Sequence, residues 1–378
     1  MHQYKCQRKR WRRHRCDGGI RMDRGRLAEP LTLRGFEISN RLWMSPMCQY
    51  SAGGDGVPTN WHMVHYGSRA VGGAGLIMVE STAVGPRHRT TAQDLGLWDA
   101  AQVDGHKALA AQIKSLGSLA GVQLNSAGRK SSHMVPGVQG GQNSAVSVDD
   151  GGWVPLAPSA KPFGNLTVPT EMTAEDIDDA VDAFAAAARN ARDAGYDLVE
   201  VHAAHGYLLH QFLSPVSNGR DDEHGGSLEN RMRFPLRVCR AVRDAFPQDR
   251  PVFVRLTATD WIEGGITLEE SSVFAQRLAG LGIDLLDVTS GALAVDAPPP
   301  NKPGLNLEFA EVLKEAAGIA VAPVGQLSDP ELLGNISASS TVDAVIVGRA
   351  LLRDPYFALR LVTAQPKDYW PLQYHRAL

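Results

Sequence analysis

The sequence predicts an α/β protein, a (β/α)8 (TIM) barrel with a long capping insertion after its third strand. Three observations carry this. Eight short runs rich in Val, Ile and Leu recur along the chain, near-continuously apolar as parallel strands buried on both faces are. Helical patterns separate most of them. One connection, of about fifty residues, is far longer than the others.

The eight runs are Arg41 to Met47, Gly75 to Glu80, Leu119 to Asn125, Leu198 to Ala204, Val252 to Thr257, Leu285 to Gly291, Val321 to Leu327 and Ala344 to Ala350. Among the helices, Thr173 to Ala194 is the clearest. Thr173 and Asp176 form a capping box with Asp in place of the usual Glu or Gln, and Gly195 supplies the stop. Ile177, Ala180, Val181, Phe184, Ala187, Ala188 and Ala191 make one apolar stripe between them. Further helices are predicted over Gln102 to Leu116, Glu229 to Phe246, Leu268 to Leu281 and Glu308 to Ala317. The long segment, residues 126–172, is rich in Gly, Ser, Pro and Asn, and loops of this length are commonly lids. Trp153, Val154, Leu156 and Phe163 give it apolar surface to bury, which predicts an ordered cap over the barrel mouth.

Composition sets the outer bounds. The chain has 378 residues, and 43% hydrophobic with 21% charged content excludes a wholly disordered polymer. The net charge of −3 divides unevenly. Residues 1–26 hold ten basic and two acidic side chains (+8), whereas the rest holds 28 basic and 39 acidic (−11). Residues 1–26 therefore read as a disordered basic extension, with Met22 a candidate natural start, and residues 27–378 as one barrel domain. No apolar run approaches the roughly 18 residues of a membrane span, and the head lacks the apolar stretch of a secretory signal. Cys6, Cys16, Cys48 and Cys239 form neither a CxxC pair nor a disulfide framework, so a reducing cytoplasm is expected.

A barrel of this kind carries its site at the C-terminal strand ends. Those ends deliver Ser45, Pro46, Met47, Cys48, Tyr50, Glu80, Ser81, Gln123, His202, His205, Tyr207, Arg255, Ser290, Gly291, Gly325, Gly348 and Arg349. The set is polar, cationic and nearly free of carboxylates, which suits an anionic ligand. Gly325 and Gly348–Arg349 follow strands seven and eight, a common phosphate site in barrels, although two tight turns and a surface arginine would read the same. Neither a dinucleotide fingerprint nor a P-loop occurs, so the phosphate reads as part of a cofactor lying across the mouth.

The pairs His62/His65 and His202/His205 first suggest a metal, but neither has a third ligand, and no metal site is expected. The first pair reads as a packed helix face. At the strand end, His202 and His205 can instead donate to a carbonyl oxygen and stabilise the enolate formed when its conjugated alkene is reduced. Tyr207, whose phenol has a reference pKa near 10, stays protonated at neutral pH and can donate a proton. Cys239 reads as core. Cys48 reads either as a nucleophile or as a residue tuning a bound cofactor.

At these residues the chain resembles the Old Yellow Enzyme family of FMN-dependent ene-reductases, from Leu27 to Arg376. SPMCQY (Ser45 to Tyr50) is similar to the first-strand motif of its thermophilic-like branch. HAAHGYLLHQFLSPVSNGRDDEHGGSLENR (His202 to Arg231) resembles its longest signature, VGRALLRDP (Val347 to Pro355) its phosphate end, and PLQYHRAL (Pro371 to Leu378) its tail. The resemblance implies FMN held by Ser45, Pro46, Met47, Cys48, Ser81, Gln123, Arg255, Ser290, Gly291, Gly325, Gln326, Gly348 and Arg349. It implies NADPH or NADH as reductant in a ping-pong reaction. An α,β-unsaturated carbonyl compound, an enone or enal, would have its oxygen held by His202 and His205. Hydride would reach its β-carbon from flavin N5, and its α-proton would come from Tyr207. Tyr50 would line the pocket, and Arg376 would reach a neighbouring subunit's site in a homodimer or homotetramer. Three positions depart from the family pattern: Ser126 stands where histidine is usual, His224 where an aromatic is usual, and the tail ends RAL.

Two other readings compete with this one. A dienoyl-CoA-reductase-like flavoenzyme shares the barrel, but such chains carry a cysteine-rich iron–sulfur segment after it, and no cysteine follows Cys239. A flavoprotein binding RNA through the basic arm, like the tRNA dihydrouridine synthases, is disfavoured by the −11 body and by an arm with only Tyr4 and Trp11 to stack. No nucleic-acid or membrane partner is expected.

Overall fold

A computed structural model describes residues 25–137, 144–339, 341–362 and 370–377. The expected disorder of the basic arm falls on residues outside these, apart from Gly25 and Arg26. Arg26 already bonds to the body, through Asp343 Oδ1 at 3.3 Å and Val342 O at 3.2 Å.

A short hairpin comes first, β1 (Leu31–Leu33) and β2 (Phe36–Ile38), paired antiparallel. Its two-residue turn holds Arg34 and Gly35 at φ 46° and 84°, the left-handed pair that tight hairpins favour. Eight parallel strands follow: β3 (Leu42–Met44), β4 (Leu76–Ala83), β5 (Leu119–Asn125), then, past two cap strands, β8 (Leu198–Ala203), β9 (Val252–Thr257), β10 (Leu285–Thr289), β11 (Ala320–Pro323) and β12 (Val345–Val347). The cap strands are β6 (Leu156–Ala157) and β7 (Thr170–Glu171). Around the sheet the order is β11, β10, β9, β8, β5, β4, β3, β12, and a parallel bridge between Val324 and Ile346 joins the two ends. The eight predicted strands are thus the eight barrel strands.

The outer layer comprises α1 (Asn60–Val71), α2 (Ala100–Ser115), α3 (Ala174–Asp193), α4 (Leu208–Leu213), α5 (Leu228–Ala245), α6 (Leu268–Gly280), α7 (Leu307–Ala317), α8 (Pro330–Ser339), α9 (Arg349–Arg353) and α10 (Phe357–Val362). In α3 the Thr173 hydroxyl accepts from the Asp176 amide, and the Asp176 carboxylate accepts from the Thr173 amide at 2.9 Å. The predicted stripe is buried except for Val181 at its edge. No range was predicted for the hairpin, the two cap strands, α4, α8, α9 or α10, and α1 was anticipated only as the helix face carrying His62 and His65. The first strand is shorter than Arg41 to Met47, because its ladder ends with the Ser45 amide on Val347 O at 3.0 Å, and Pro46 has no N–H to continue it.

Strand alternation layers the barrel interior. At the N-terminal end Trp43, Leu76, Met78, Leu198, Phe253, Leu285 and Ile346 form an apolar plug closed by Ile38 of the hairpin. The next inward positions are polar: Ser45, Gln123, Glu200, Arg255 and Asp287, all at most 4% exposed. Above them sit His202, Thr257 and Thr289, two residues further along their strands.

The cap is anchored to the mouth. Trp153 Nε1 donates to Ser131 Oγ at 2.5 Å, and the Arg89 guanidinium lies between the Trp98 and Trp153 rings, 5.6 and 5.1 Å from their centroids. Leu156 and Phe163 are partly buried. Val154, expected among the buried apolar residues, is instead 39% exposed, since only its carbonyl is engaged, by Arg87 at 3.2 Å.

Several histidines are buried neutral. His106 accepts from the Tyr196 hydroxyl at 2.7 Å and donates to Gly96 O at 3.1 Å. Burial lowers its pKa to about 3; burial, then Arg69 and His62, lowers that of His65 to about 3; burial and Arg87 lower that of His88 to about 4. Each lies below the unfolded value near 6.5, so the unfolded chain binds the extra protons in between. Their contribution is complete above about pH 6.5 and is lost as pH falls toward 4. The urea midpoint is therefore expected to drop between pH 7 and pH 5; an unchanged midpoint would contradict it.

Candidate active site

The floor of the site is an ion pair inside the barrel. Arg255 Nε donates to Asp287 Oδ2 at 2.7 Å, one Arg255 Nη2 bond reaches the same carboxylate, and Nη2 also reaches Ser45 Oγ at 3.1 Å. Burial works against the guanidinium charge, but Asp287 and Glu200 outweigh it and raise the pKa. Glu200 Oε1 accepts from Gln123 Nε2 at 2.8 Å and lies 3.8 Å from Arg255 Nε. Glu200 Oε2 and Asp287 Oδ1 are both buried without a donor. Burial, followed by the charge of Asp287, drives the Glu200 pKa well up and so favours a proton on Glu200, toward Asp287. One cation thus faces one net anionic charge.

The loop after β3 is held by Glu80, inside β4. Its carboxylate accepts from the Gln49 amide at 2.6 Å and from the Tyr66 hydroxyl at 3.0 Å, and His62 Nε2 lies 3.4 Å away. His62 and His65 are buried on α1, as the helix-face reading expected. Tyr50 is left-handed, φ 50°, two residues past Cys48. Burial, then Asp94 and Glu80, pushes the Cys48 pKa well up, so the sulfur stays a thiol. That disfavours the nucleophile of the two earlier readings.

The loop after β8 is clamped from three sides. His205 and Gly206 are left-handed, φ 56° and 68°. Gly206 N–H donates to His210 Nδ1 at 2.8 Å, and Gly206 O accepts from Gln211 Nε2 at 2.7 Å. His210 Nε2 in turn faces Asp260 Oδ1 at 2.8 Å. Lys130 Nζ donates to His205 O at 2.7 Å and Ala292 O at 2.6 Å, and sits 4.1 Å from the Phe163 ring centroid and 5.6 Å from that of Tyr207. Burial and then Arg129 lower the Lys130 pKa to about 7. The His202 and Tyr207 rings meet edge to face at 4.8 Å. Burial above all lowers both His202 and His205 well below the usual range and raises Tyr207 well above it. Both imidazoles are therefore neutral and the phenol is protonated at neutral pH.

Two clefts run together across the strand ends. One of about 380 Å³ is lined by Met47, Gly325, Gln326, Gly348, Arg349 and Arg353; the other, about 390 Å³, by His205, Thr289, Ser290, Asn306, Gln326 and Arg349. Gly325, at φ 121°, leaves space that a side chain would close, since a Cβ there would stand 2.8 Å from Asn306 Nδ2. Ser81 Oγ accepts from Asn125 Nδ2 at 2.8 Å, and Asn125 Oδ1 is buried without a donor. Pro46 is buried beside Ser45, and Gly291 is left-handed at φ 74° against Pro299 and Trp261.

The predicted residues thus gather at one rim, with one exception. Arg376 is exposed on the 372–377 turn, whose Gln373 and Tyr374 line a groove with Asn40, Ala74 and Gly117 at the opposite end of the barrel. It does not reach its own chain's site. Sequence reasoning passed over Lys130, Glu200, Asp287, Thr289, His210 and Gln211. Strand period marked three of them: Glu200 shares a face with His202, and Asp287 shares one with Thr289. Two of the three departures from the family pattern find local partners. Ser126 Oγ bonds His88 Nδ1 at 2.6 Å, so an imidazole arrives from the neighbouring loop, and His224 packs edge-on against Phe212.

Among the described residues no cluster of three or more His, Cys, Asp or Glu could hold a metal, and no helix is long and apolar enough to cross a membrane. Fold and rim together define a class: a (β/α)8 barrel with a trench across its strand ends whose glycines and Arg349 suit an anionic ligand. A model of the NADH:flavin oxidoreductase / NADH oxidase family matches residues 26–368, and the chain belongs to that family, the Old Yellow Enzyme family. It is 44% identical over 333 residues to an NADPH dehydrogenase of Geobacillus sp. (strain WCH70), covering 88% of this chain and 92% of the relative. With the NADPH dehydrogenase of Bacillus subtilis (strain 168) it shares 41% over 357 residues, 93% of this chain and 98% of the relative. Among solved structures, morphinone reductase superposes with a TM-score of 0.76 at 28% identity, covering 91% of each chain. A 2-naphthoyl-CoA reductase complex with 2-naphthoyl-CoA gives 0.81 at 26%, covering 91% of this chain but 53% of that longer one. The protein is an FMN-dependent NADPH oxidoreductase. The residues present fit that cofactor: a glycine-lined cleft beside Arg349, a buried guanidinium at Arg255 and an unmet acceptor at Asn125.

Removing one partner of a buried pair costs about 3–5 kcal/mol. Asp287→Ala is expected to lose that much in urea denaturation, whereas Glu200→Gln, which still donates to Asp287, stays near wild type. Equal losses would refute the shared proton.

Proposed function

We propose that this enzyme reduces the C=C bond of α,β-unsaturated carbonyl compounds, enones and enals, with NADPH as electron source. The observation that carries the reading is the meeting of two neutral imidazoles with a protonated phenol at one rim, His202 against Tyr207 at 4.8 Å and against His205 at 5.2 Å. Bound FMN supplies the hydride chemistry, accepting from NADPH and passing to the alkene. Ser45, Pro46, Met47, Ser81, Gln123, Ser290, Gly291, Gly325, Gln326, Gly348 and Arg349 are the residues that would hold it, and the Arg255 guanidinium would offset the negative charge that reduction brings. Cys48, a thiol in the mouth, tunes it.

His202 and His205 donate to the carbonyl oxygen and stabilise the charge that builds there when hydride reaches the β-carbon. Neutral rings suit this task, because they donate hydrogen bonds without surrendering a proton. Tyr207 Oη gives the proton to the α-carbon, and its raised pKa keeps it loaded across the neutral range. Tyr50 lines the pocket. Arg376, remote from its own site, acts across a subunit contact in a homodimer or homotetramer. The free thiols of Cys48 and Cys239 suit a cytoplasmic setting.

The purified protein is expected to be yellow and to oxidise NADPH when 2-cyclohexenone is present; failure to turn over any enone while retaining FMN would overturn the substrate reading. Tyr207→Phe should slow the enone step by about a hundredfold or more, within the usual range for a lost general acid, and leave flavin reduction by NADPH intact. Stopped-flow measurement of the two half-reactions checks this, and equal losses in both would argue against Tyr207 as proton donor. Arg349→Ala is expected to lower the FMN retained through gel filtration, read from the visible absorbance per chain.

A further inference from the structure

The two imidazoles do not, as they stand, aim two donors at one point. Ala204 N–H donates to His202 Nδ1 at 3.3 Å, so the proton of neutral His202 is on Nε2. That Nε2–H faces His205 Nδ1 at 3.4 Å, which must accept and is therefore bare. The proton of neutral His205 is then on Nε2, where it is donated to Thr289 Oγ1 at 3.0 Å.

A single oxygen can take hydrogen bonds from both rings only where their facing nitrogens converge, at His202 Nε2 and His205 Nδ1. His205 must then carry its proton on Nδ1, and its Nε2 becomes an acceptor in need of a donor. Among the described residues, Thr289 Oγ1 is the group against that nitrogen, and it makes no other hydrogen bond. A hydroxyl both donates and accepts, so it can serve either state by turning about its C–O bond. Valine at this position could do neither. The ring itself stays in place. Its backbone amide donates to Thr257 Oγ1 at 3.1 Å, and Lys130 holds its carbonyl at 2.7 Å.

We propose that Thr289 is a positioning residue that sets the tautomer of His205, accepting from Nε2–H in the free enzyme and donating to Nε2 once a substrate carbonyl accepts a hydrogen bond from Nδ1–H. This rests on the reading that His202 and His205 hold a carbonyl oxygen. No net proton is gained: the ring loses one at Nε2 and gains one at Nδ1 by exchange with water, and the Thr289 hydroxyl reorients.

The test is 15N NMR of histidine-labelled holoenzyme with and without saturating cyclohexanone, a carbonyl with no alkene to reduce, His205 being assigned from the spectrum of His205→Asn. Without ligand, His205 is expected to show a protonated Nε2 and a bare Nδ1, and with cyclohexanone the reverse. In Thr289→Val the reversal should fail, and KM for 2-cyclohexenone should rise about tenfold, the scale of one lost hydrogen bond. Thr289→Ser should restore both. The proposal is overturned if His202 responds to cyclohexanone while His205 keeps its proton on Nε2, or if Thr289→Val folds and matches wild type in both readouts. A ketone to which neither ring responds would instead overturn the carbonyl-binding reading, and the inference with it.

Discussion

A guanidinium buried at the axis of a barrel must be answered by charge, and the rest of this site is built around that requirement. Arg255 is 3% exposed and meets Asp287 directly, with Glu200 and Gln123 completing the ring. Two ionised carboxylates beside one cation, all without water, would leave a net charge that burial strongly opposes. A proton shared between Glu200 and Asp287 removes it. The layer then serves as a rigid polar floor between the apolar plug below and the imidazoles above. Its rigidity follows from the strands that carry it, since β5, β8, β9 and β10 are consecutive in the sheet.

On that floor, precision of placement comes from the loop after β8. Two successive left-handed residues, one of them a histidine, are an unfavourable backbone choice that surrounding contacts must hold. Here they are held by side chains from α4 on both polar groups of Gly206, and by Lys130 on the carbonyl of His205. The same ammonium touches the cap through Phe163, so cap, β8 loop and β10 loop share one pin. Two short hydrogen bonds and one cation–π contact thereby couple the seating of the cap to the loop that carries His205 and Tyr207.

Much of this was legible before any coordinates. The apolar runs, the capping box at Thr173 and the strand-end position of His202, His205 and Tyr207 all follow from local pattern. What was missed had a common cause. Glu200 and Asp287 sit within apolar runs and read as interruptions, although their period-2 relation to His202 and Thr289 marked them as inward-facing. Lys130 stands in the polar loop after β5, and only packing against Phe163 and Tyr207 makes it internal. Val154 was the converse, an apolar residue that the cap leaves in solvent. Arg376 ends at the far rim because the tail folds back over the starts of β4 and β5.

By itself, then, the sequence determined the repeating βα architecture and the chemical types available at the mouth, because periodicity and strand-end position are local properties of the chain. The tertiary structure alone decided which groups face one another: Glu200 against Asp287, His88 against Ser126, and the His202–His205–Thr289 chain of nitrogens and oxygen. Protonation and tautomer follow from those contacts, since both depend on what lies within about 3 Å of a given atom. Residues 202 and 289 are far apart in sequence. Only closure of the barrel brings them to a common rim, and with that the choice of which nitrogen carries the proton.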